Sequence, residues 1–75
     1  MKIVVYGKKS CGYCSRAREW LAERNLSYTY VDVLEDINSE QLNELKTQYK
    51  MNTVPIVVIN DELIGGYSEL VKTEL

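Results

Sequence analysis

Histidine is absent from the 75 residues, and cysteine occurs only twice, at Cys11 and Cys14. Without histidine no Cys/His metal site can form, and two thiols cannot complete a four-cysteine zinc site within one chain. A metal would need ligands from a second subunit or from outside. No run approaches the roughly 20 apolar residues of a membrane span. The opening Met1-Lys2-Ile3-Val4-Val5-Tyr6 is too short an apolar run for a secretory signal and meets Lys8 and Lys9 at once. Neither sign of charge dominates: nine basic and eleven acidic residues leave a formal charge of -2, so neither nucleic acid nor an anionic membrane is an expected partner. Repeats, linkers and low-complexity stretches are missing as well. A cytoplasmic location is the default expectation, and in a reducing compartment a lone cysteine pair is more often catalytic or metal-binding than a structural staple.

What is present fits one small domain over residues 1–75, near the lower size limit for a core without disulfides or metals. Lys2 to Tyr6 is apolar on consecutive positions, as in a central strand covered on both faces. From about Tyr13, the residues Ala17, Trp20, Leu21 and Arg24 recur at helical spacing, and Asn25 tolerates the left-handed conformation that ends a helix. Ser27 to Val33 has the β-forming density of another central strand, which completes a βαβ unit. Asn38 is a candidate N-cap with Gln41 as its reciprocal partner. Leu42, Leu45 and Tyr49 then share one helical face, Glu40, Glu44, Lys46 and Lys50 face water, and the helix stops by Met51 or Asn52. Pro55 delays the next strand to Ile56–Ile59. Asn60-Asp61 signals a two-residue hairpin into Glu62–Ile64. Gly65-Gly66 breaks that strand, and Ser68 is expected to cap a short last helix that buries Leu70 and Val71. The order β-α-β-α-β-β-α predicts an α/β fold with a mixed four-stranded sheet and helices on both faces, the minimal thioredoxin-like arrangement.

The chemistry concentrates on Cys11-Gly12-Tyr13-Cys14, between the first strand and the first helix, a setting typical of a redox dithiol. Thiol exchange needs a thiolate. Cys11 stands where the helix begins, and there unpaired N–H groups and the positive end of the dipole favour an anion, with Lys8 and Lys9 nearby. Cys14 lies about one turn further in, less exposed and expected to keep an ordinary acidity. Cys11 is therefore the expected attacking thiol and Cys14 the resolving one. A structural disulfide closing so short a loop would gain little entropy.

Other positions admit two readings. Tyr13 either packs on the helix or shapes a substrate groove beside the nucleophile. With a cis Val54-Pro55 bond, Thr53-Val54-Pro55 would turn the backbone of Val54 toward an extended peptide. Gly65-Gly66 is either a plain turn or the start of a site in which the N–H groups of Tyr67 and Ser68 bind a carboxylate. Lys8, Lys9, Gln48 and Lys50 serve an anionic ligand only if folding brings them to the groove.

Taken together, Cys11-Gly12-Tyr13-Cys14, Thr53-Val54-Pro55 and Gly65-Gly66-Tyr67-Ser68-Glu69-Leu70 resemble the dithiol glutaredoxins, compact bacterial or phage-like forms, in order and spacing across essentially the whole chain. The resemblance implies a thioredoxin fold, a cis Pro55, and glutathione as co-substrate, carried as a mixed disulfide on Cys11. It implies ligand contacts from Tyr13 along the groove, from Thr53, Val54 and Pro55 to the cysteinyl backbone, and from Gly66, Tyr67, Ser68 and Glu69 to the γ-glutamyl end. Lys8 would face the glycine carboxylate. The implied activity is reduction of protein disulfides and glutathionylated proteins by a monomer, with ribonucleotide reductase as a client by family analogy. Two departures stand out. Gly12 replaces a frequent proline, which resembles members holding a [2Fe-2S] cluster on Cys11 between two subunits, so a cluster scaffold is one alternative activity. Ser68-Glu69 replaces a frequent Asp-Asp pair, which weakens contact to the glutathione amine. Another alternative, an electron donor reduced by thioredoxin reductase, is disfavoured by the intact Gly65-Gly66.

Overall fold

Alternation along two neighbouring strands divides the interior between two sides of one sheet. The computed structural model describes residues 1–75. Its elements are β1 (Ile3–Gly7), α1 (Gly12–Glu23), β2 (Thr29–Asp32), α2 (Ser39–Tyr49), β3 (Ile56–Ile59), β4 (Glu62–Gly65) and α3 (Tyr67–Val71). Ile3 and Val5 of β1 share one face with Val57 and Ile59 of β3, where they meet Ala17, Trp20 and Leu21 of α1 and Leu70 of α3. Ile56 and Val58 face the other way and pack with Val33 and with Leu45 of α2. Helices thus cover both faces, and all four residues of β3 are buried. That explains its unbroken apolar run.

The strand order is β2-β1-β3-β4. β1 pairs parallel with β2, as the βαβ reading requires, and antiparallel with β3, which pairs antiparallel with β4. This is the expected thioredoxin-like α/β fold. The hairpin turns through Asn60 (φ 52°) and Asp61 (φ 66°), both left-handed as a two-residue turn of this hand demands. Asn60 also exchanges two 2.8 Å hydrogen bonds with Lys2, its side-chain carbonyl accepting from the Lys2 N–H and its own N–H donating to the Lys2 carbonyl. The hairpin is thereby tied to the start of β1.

Helix boundaries follow local chemistry. α1 ends before Asn25, which takes φ 57°. α2 starts at the reciprocal Asn38–Gln41 box, with both hydrogen bonds present at 2.9 and 2.8 Å. It stops at Tyr49, before Met51 as expected, because Lys50 adopts a left-handed cap.

Three expectations need correction. β2 lies at the sheet edge, not in its centre. Tyr30 of β2 and Tyr28 just before it are accounted for by α1: the Arg18 guanidinium stacks 4.2 Å over the Tyr30 ring, and Arg18 Nε donates to the Tyr28 hydroxyl at 3.3 Å. Ser68 does not cap α3. Gly66 does, and the Glu69 carboxylate reaches back to accept its N–H at 2.8 Å, satisfying a donor that a serine cap would have left open. Val71 is exposed, because a helix of five residues presents only Leu70 squarely to the core.

Candidate functional site

Cys11 caps α1. Its backbone is extended while Gly12 begins the helix, and its Sγ accepts the Cys14 N–H at 3.2 Å. The same sulfur lies 3.5 Å from the Val54 carbonyl oxygen, to which the thiol donates. Val54-Pro55 is cis, as expected, and through the Cys11–Val54 contact the loop before β3 abuts the start of α1.

Cys14 sits beneath, only 1% exposed. Burial, and second the neighbouring Cys11 sulfur, push its thiol up to about 12 against an ordinary value of 9.0. This corrects the expectation of ordinary acidity: one turn into α1 the sulfur meets the sheet and not solvent. Gly7, the last residue of β1, explains how the sulfur fits. A Cβ there would lie 2.8 Å from Cys14 Sγ and 3.1 Å from the Tyr30 ring. In the sequence, only the position of Gly7 just before the cysteine motif hints at a packing role.

A raised thiol is neutral in the fold, so its contribution to stability is complete below the ordinary value and is lost as pH climbs toward the folded value. The reduced protein should therefore lose more thermal stability between pH 9 and pH 11 than Cys14→Ala does. Comparing the two melting temperatures isolates this thiol, because half-buried Tyr6 and Tyr30, whose hydroxyls are also raised, titrate in both proteins. Parallel curves would show that Cys14 is not responsible.

Between Val54, whose carbonyl the Cys11 thiol reaches, and α3 lies a groove of about 350 Å³ lined by Tyr13, Val54, Pro55, Gly66, Tyr67 and Ser68, together with Met51, Thr53 and Glu69. Tyr13 is 58% exposed, so it is no core residue. Its ring stands 5.8 Å from that of Tyr67, and the two form one wall, while the Arg16 guanidinium lies 5.2 Å from the Tyr13 ring without lining the groove. At the far end, Glu69 accepts the Gly66 N–H and the Ser68 hydroxyl, the latter at 2.7 Å. These bonds, that from Ser68 foremost, hold its carboxyl below the usual range.

Lys8 lines a separate trough with Cys11, on the other side of Thr53 and Val54. Lys9 is drawn into an exposed ion pair with Glu35 at 3.2 Å. Gln48 lies on the outer face of α2 with Glu40, Glu44 and Thr47, and neither Gln48 nor Lys50 lines the groove or the trough. Folding thus gathers the predicted residues around Cys11 and leaves out Lys9, Gln48 and Lys50.

A family model described as Glutaredoxin matches residues 3–64. The chain belongs to the glutaredoxin family. Glutaredoxin 1 of Escherichia coli K12 is 36% identical over 76 residues, covering 92% of this chain and 87% of that one. Human Glutaredoxin-1 is 31% identical, with 97% and 73% covered. Among solved structures, the buckwheat glutaredoxin–glutathione complex superposes with a TM-score of 0.85 at 27% identity, over 93% of this chain and 64% of that one. Membership in the glutaredoxin family carries thiol–disulfide oxidoreduction as the activity, and no helix here is long and apolar enough to cross a membrane. The family match ends at residue 64, one short of the Gly65-Gly66 turn. What that turn does in this glutaredoxin-family chain rests on its own geometry.

Proposed function

We propose that the chain is a glutathione-dependent oxidoreductase in which Cys11 is the nucleophile and Cys14 the resolving thiol. The observation that carries this is the Cys11 sulfur itself, half-buried, receiving the Cys14 N–H at the point where the groove meets the Val54 carbonyl. The solved glutathione complex of the buckwheat relative supports glutathione as the ligand.

With a glutathionylated protein, the Cys11 thiolate attacks the glutathione sulfur. The Cys11–glutathione disulfide forms, and the client leaves as a thiolate that takes a proton from water. A second glutathione thiolate then attacks the sulfur of the bound glutathione, releasing glutathione disulfide and restoring the Cys11 thiolate. With a protein disulfide, Cys11 first joins the client. Cys14 then gives up its proton, attacks Cys11, and expels the reduced client, and two glutathiones reduce the resulting Cys11–Cys14 disulfide. Glutathione lies along the groove, its cysteinyl backbone beside Val54 and its γ-glutamyl end toward Gly66, Tyr67, Ser68 and Glu69. Ser68 keeps an oxygen lone pair for the amine while its hydrogen goes to Glu69.

A cluster-holding role asks more of the chain. Cys11 is the one thiol within reach of solvent, since Cys14 is buried beneath it. A [2Fe-2S] cluster would need a second copy and external thiols to complete its ligands.

The deciding assay is reduction of a glutathione mixed disulfide coupled to glutathione reductase. Turnover that depends on glutathione is expected. Turnover with thioredoxin reductase alone, and none with glutathione, would overturn the proposal.

A further inference from the structure

β2 is an edge strand, so no further strand lies outside Tyr30 and its ring is held by other means. Tyr30 stands opposite Val5 in the parallel register and packs, as Val5 does, against the core that α1 covers. Cys14 and Arg18 are four residues apart on α1 and therefore neighbours on its surface. Both meet this ring. The Arg18 guanidinium covers one face at 4.2 Å and is itself steadied by the Nε hydrogen bond to the Tyr28 hydroxyl. At the ring edge, the point that a Cβ on Gly7 would occupy is 2.8 Å from Cys14 Sγ and 3.1 Å from Tyr30 Cε1, so sulfur, ring edge and strand backbone close on one another. Of the two thiols, Cys14 raises the Tyr30 hydroxyl more than Cys11 does, as befits the nearer sulfur.

This enclosure bears on one step only. When a client is joined to Cys11, the Cys14 sulfur gives up its proton to water and bonds to Cys11 Sγ while the Cys11–client bond breaks. The client sulfur leaves with the electron pair and takes up a proton, so the client is reduced and the two cysteines become a disulfide. Attack on a disulfide requires the incoming sulfur to be aimed along the bond being broken. A cysteine side chain has three staggered positions to choose from, and a void beside its sulfur would let it turn away from Cys11. Removal of glutathione from Cys11 makes no use of Cys14 and sets no such requirement.

We propose that Tyr30, clamped by Arg18, is a positioning residue for the resolving step: its ring edge backs the Cys14 sulfur and keeps it aimed at Cys11. This rests on the reading of Cys11 as the nucleophile and Cys14 as the resolving thiol. The ring acts by filling space, so its hydroxyl is dispensable and its clamp is not.

The test mixes reduced protein with one equivalent of an aromatic disulfide, dithiobis-nitrobenzoate, and follows the coloured thiolate by stopped flow. Attack by Cys11 releases the first thiolate and leaves the second half of the reagent on Cys11; attack by Cys14 releases that half in a second phase, which Cys14→Ser should lack. Tyr30→Ala should slow the second phase by about tenfold and leave the first within twofold. Tyr30→Phe should restore the wild-type rate. Arg18→Ala, an exposed position whose loss leaves the core intact, should slow the second phase by about threefold. A folded Tyr30→Ala whose second phase keeps the wild-type rate, or whose two phases slow alike, overturns the proposal; should that variant fail to fold, Arg18→Ala decides by the same two criteria. A first phase that persists in Cys11→Ser overturns the reading of Cys11 as the nucleophile, and this proposal with it.

Discussion

Changing Cys11 to serine should abolish reduction of a glutathione mixed disulfide, by about a thousandfold or more, whereas Cys14→Ser should keep most of it. Serine at position 11 retains the cap geometry but not the chemistry, since a hydroxyl neither ionises usefully near neutral pH nor forms a reducible bond to sulfur. Cys14 takes no part in removing glutathione from Cys11, so its loss spares that reaction. Reduction of a protein disulfide is different, because the covalent intermediate with the client is opened by Cys14. There both variants should fail. The raised pKa of Cys14 fits this division: it stays a protonated thiol while Cys11 works, and must lose its proton as it attacks. Cys14→Ala is the companion variant, since a buried serine hydroxyl carries a desolvation cost of its own. Loss of monothiol turnover in Cys14→Ala as well as Cys14→Ser would assign Cys14 a role in the first step and refute the division.

Gly65→Ala should lower stability by about 2 kcal/mol or more and raise the KM for glutathione. Gly65 has φ 129°, a conformation that side chains other than glycine rarely adopt, and the added Cβ would lie 2.7 Å from Glu69 Cγ and 2.9 Å from Glu69 Cβ. Relief requires moving Glu69, which opens its hydrogen bond to the Gly66 N–H and unseats the start of α3. Against a total stability of about 5–15 kcal/mol for a domain, that is a large fraction. Gly66→Ala is the control. Its Cβ would approach nothing closer than 3.4 Å, at a φ of -94° open to any residue, so its cost should stay below about 1 kcal/mol. Denaturant midpoints distinguish the two. Equal midpoints would remove Gly65 from the account of the turn.

Much of this was legible before any coordinates. Apolar runs, the Asn38–Gln41 box, Asn25 and the Asn60-Asp61 turn are local signals, and each formed as its chemistry requires. The gathering of Cys11, Tyr13, Val54, Tyr67 and Ser68 was legible only through spacing that resembles a family, since those residues lie far apart in the chain. What escaped was whatever depends on a distant neighbour. The edge position of β2 follows from which strand β1 pairs with on each side, and strand composition does not encode it. The displaced cap of α3 follows from a glutamate reaching backwards, which outcompeted the serine that looked like a cap. The role of Gly7 escaped because nothing local announces that a sulfur seven residues later will sit against it. Lys46 is half-buried where helical periodicity placed it in water, because periodicity cannot see the trough that it lines.

The most direct test of the central claim is to treat Cys14→Ser with glutathione disulfide and map the product by mass spectrometry after digestion. A single glutathionyl group per chain, on Cys11 and released by excess glutathione, is the predicted result. A chain that stays unmodified under conditions in which the folded protein is intact would contradict it.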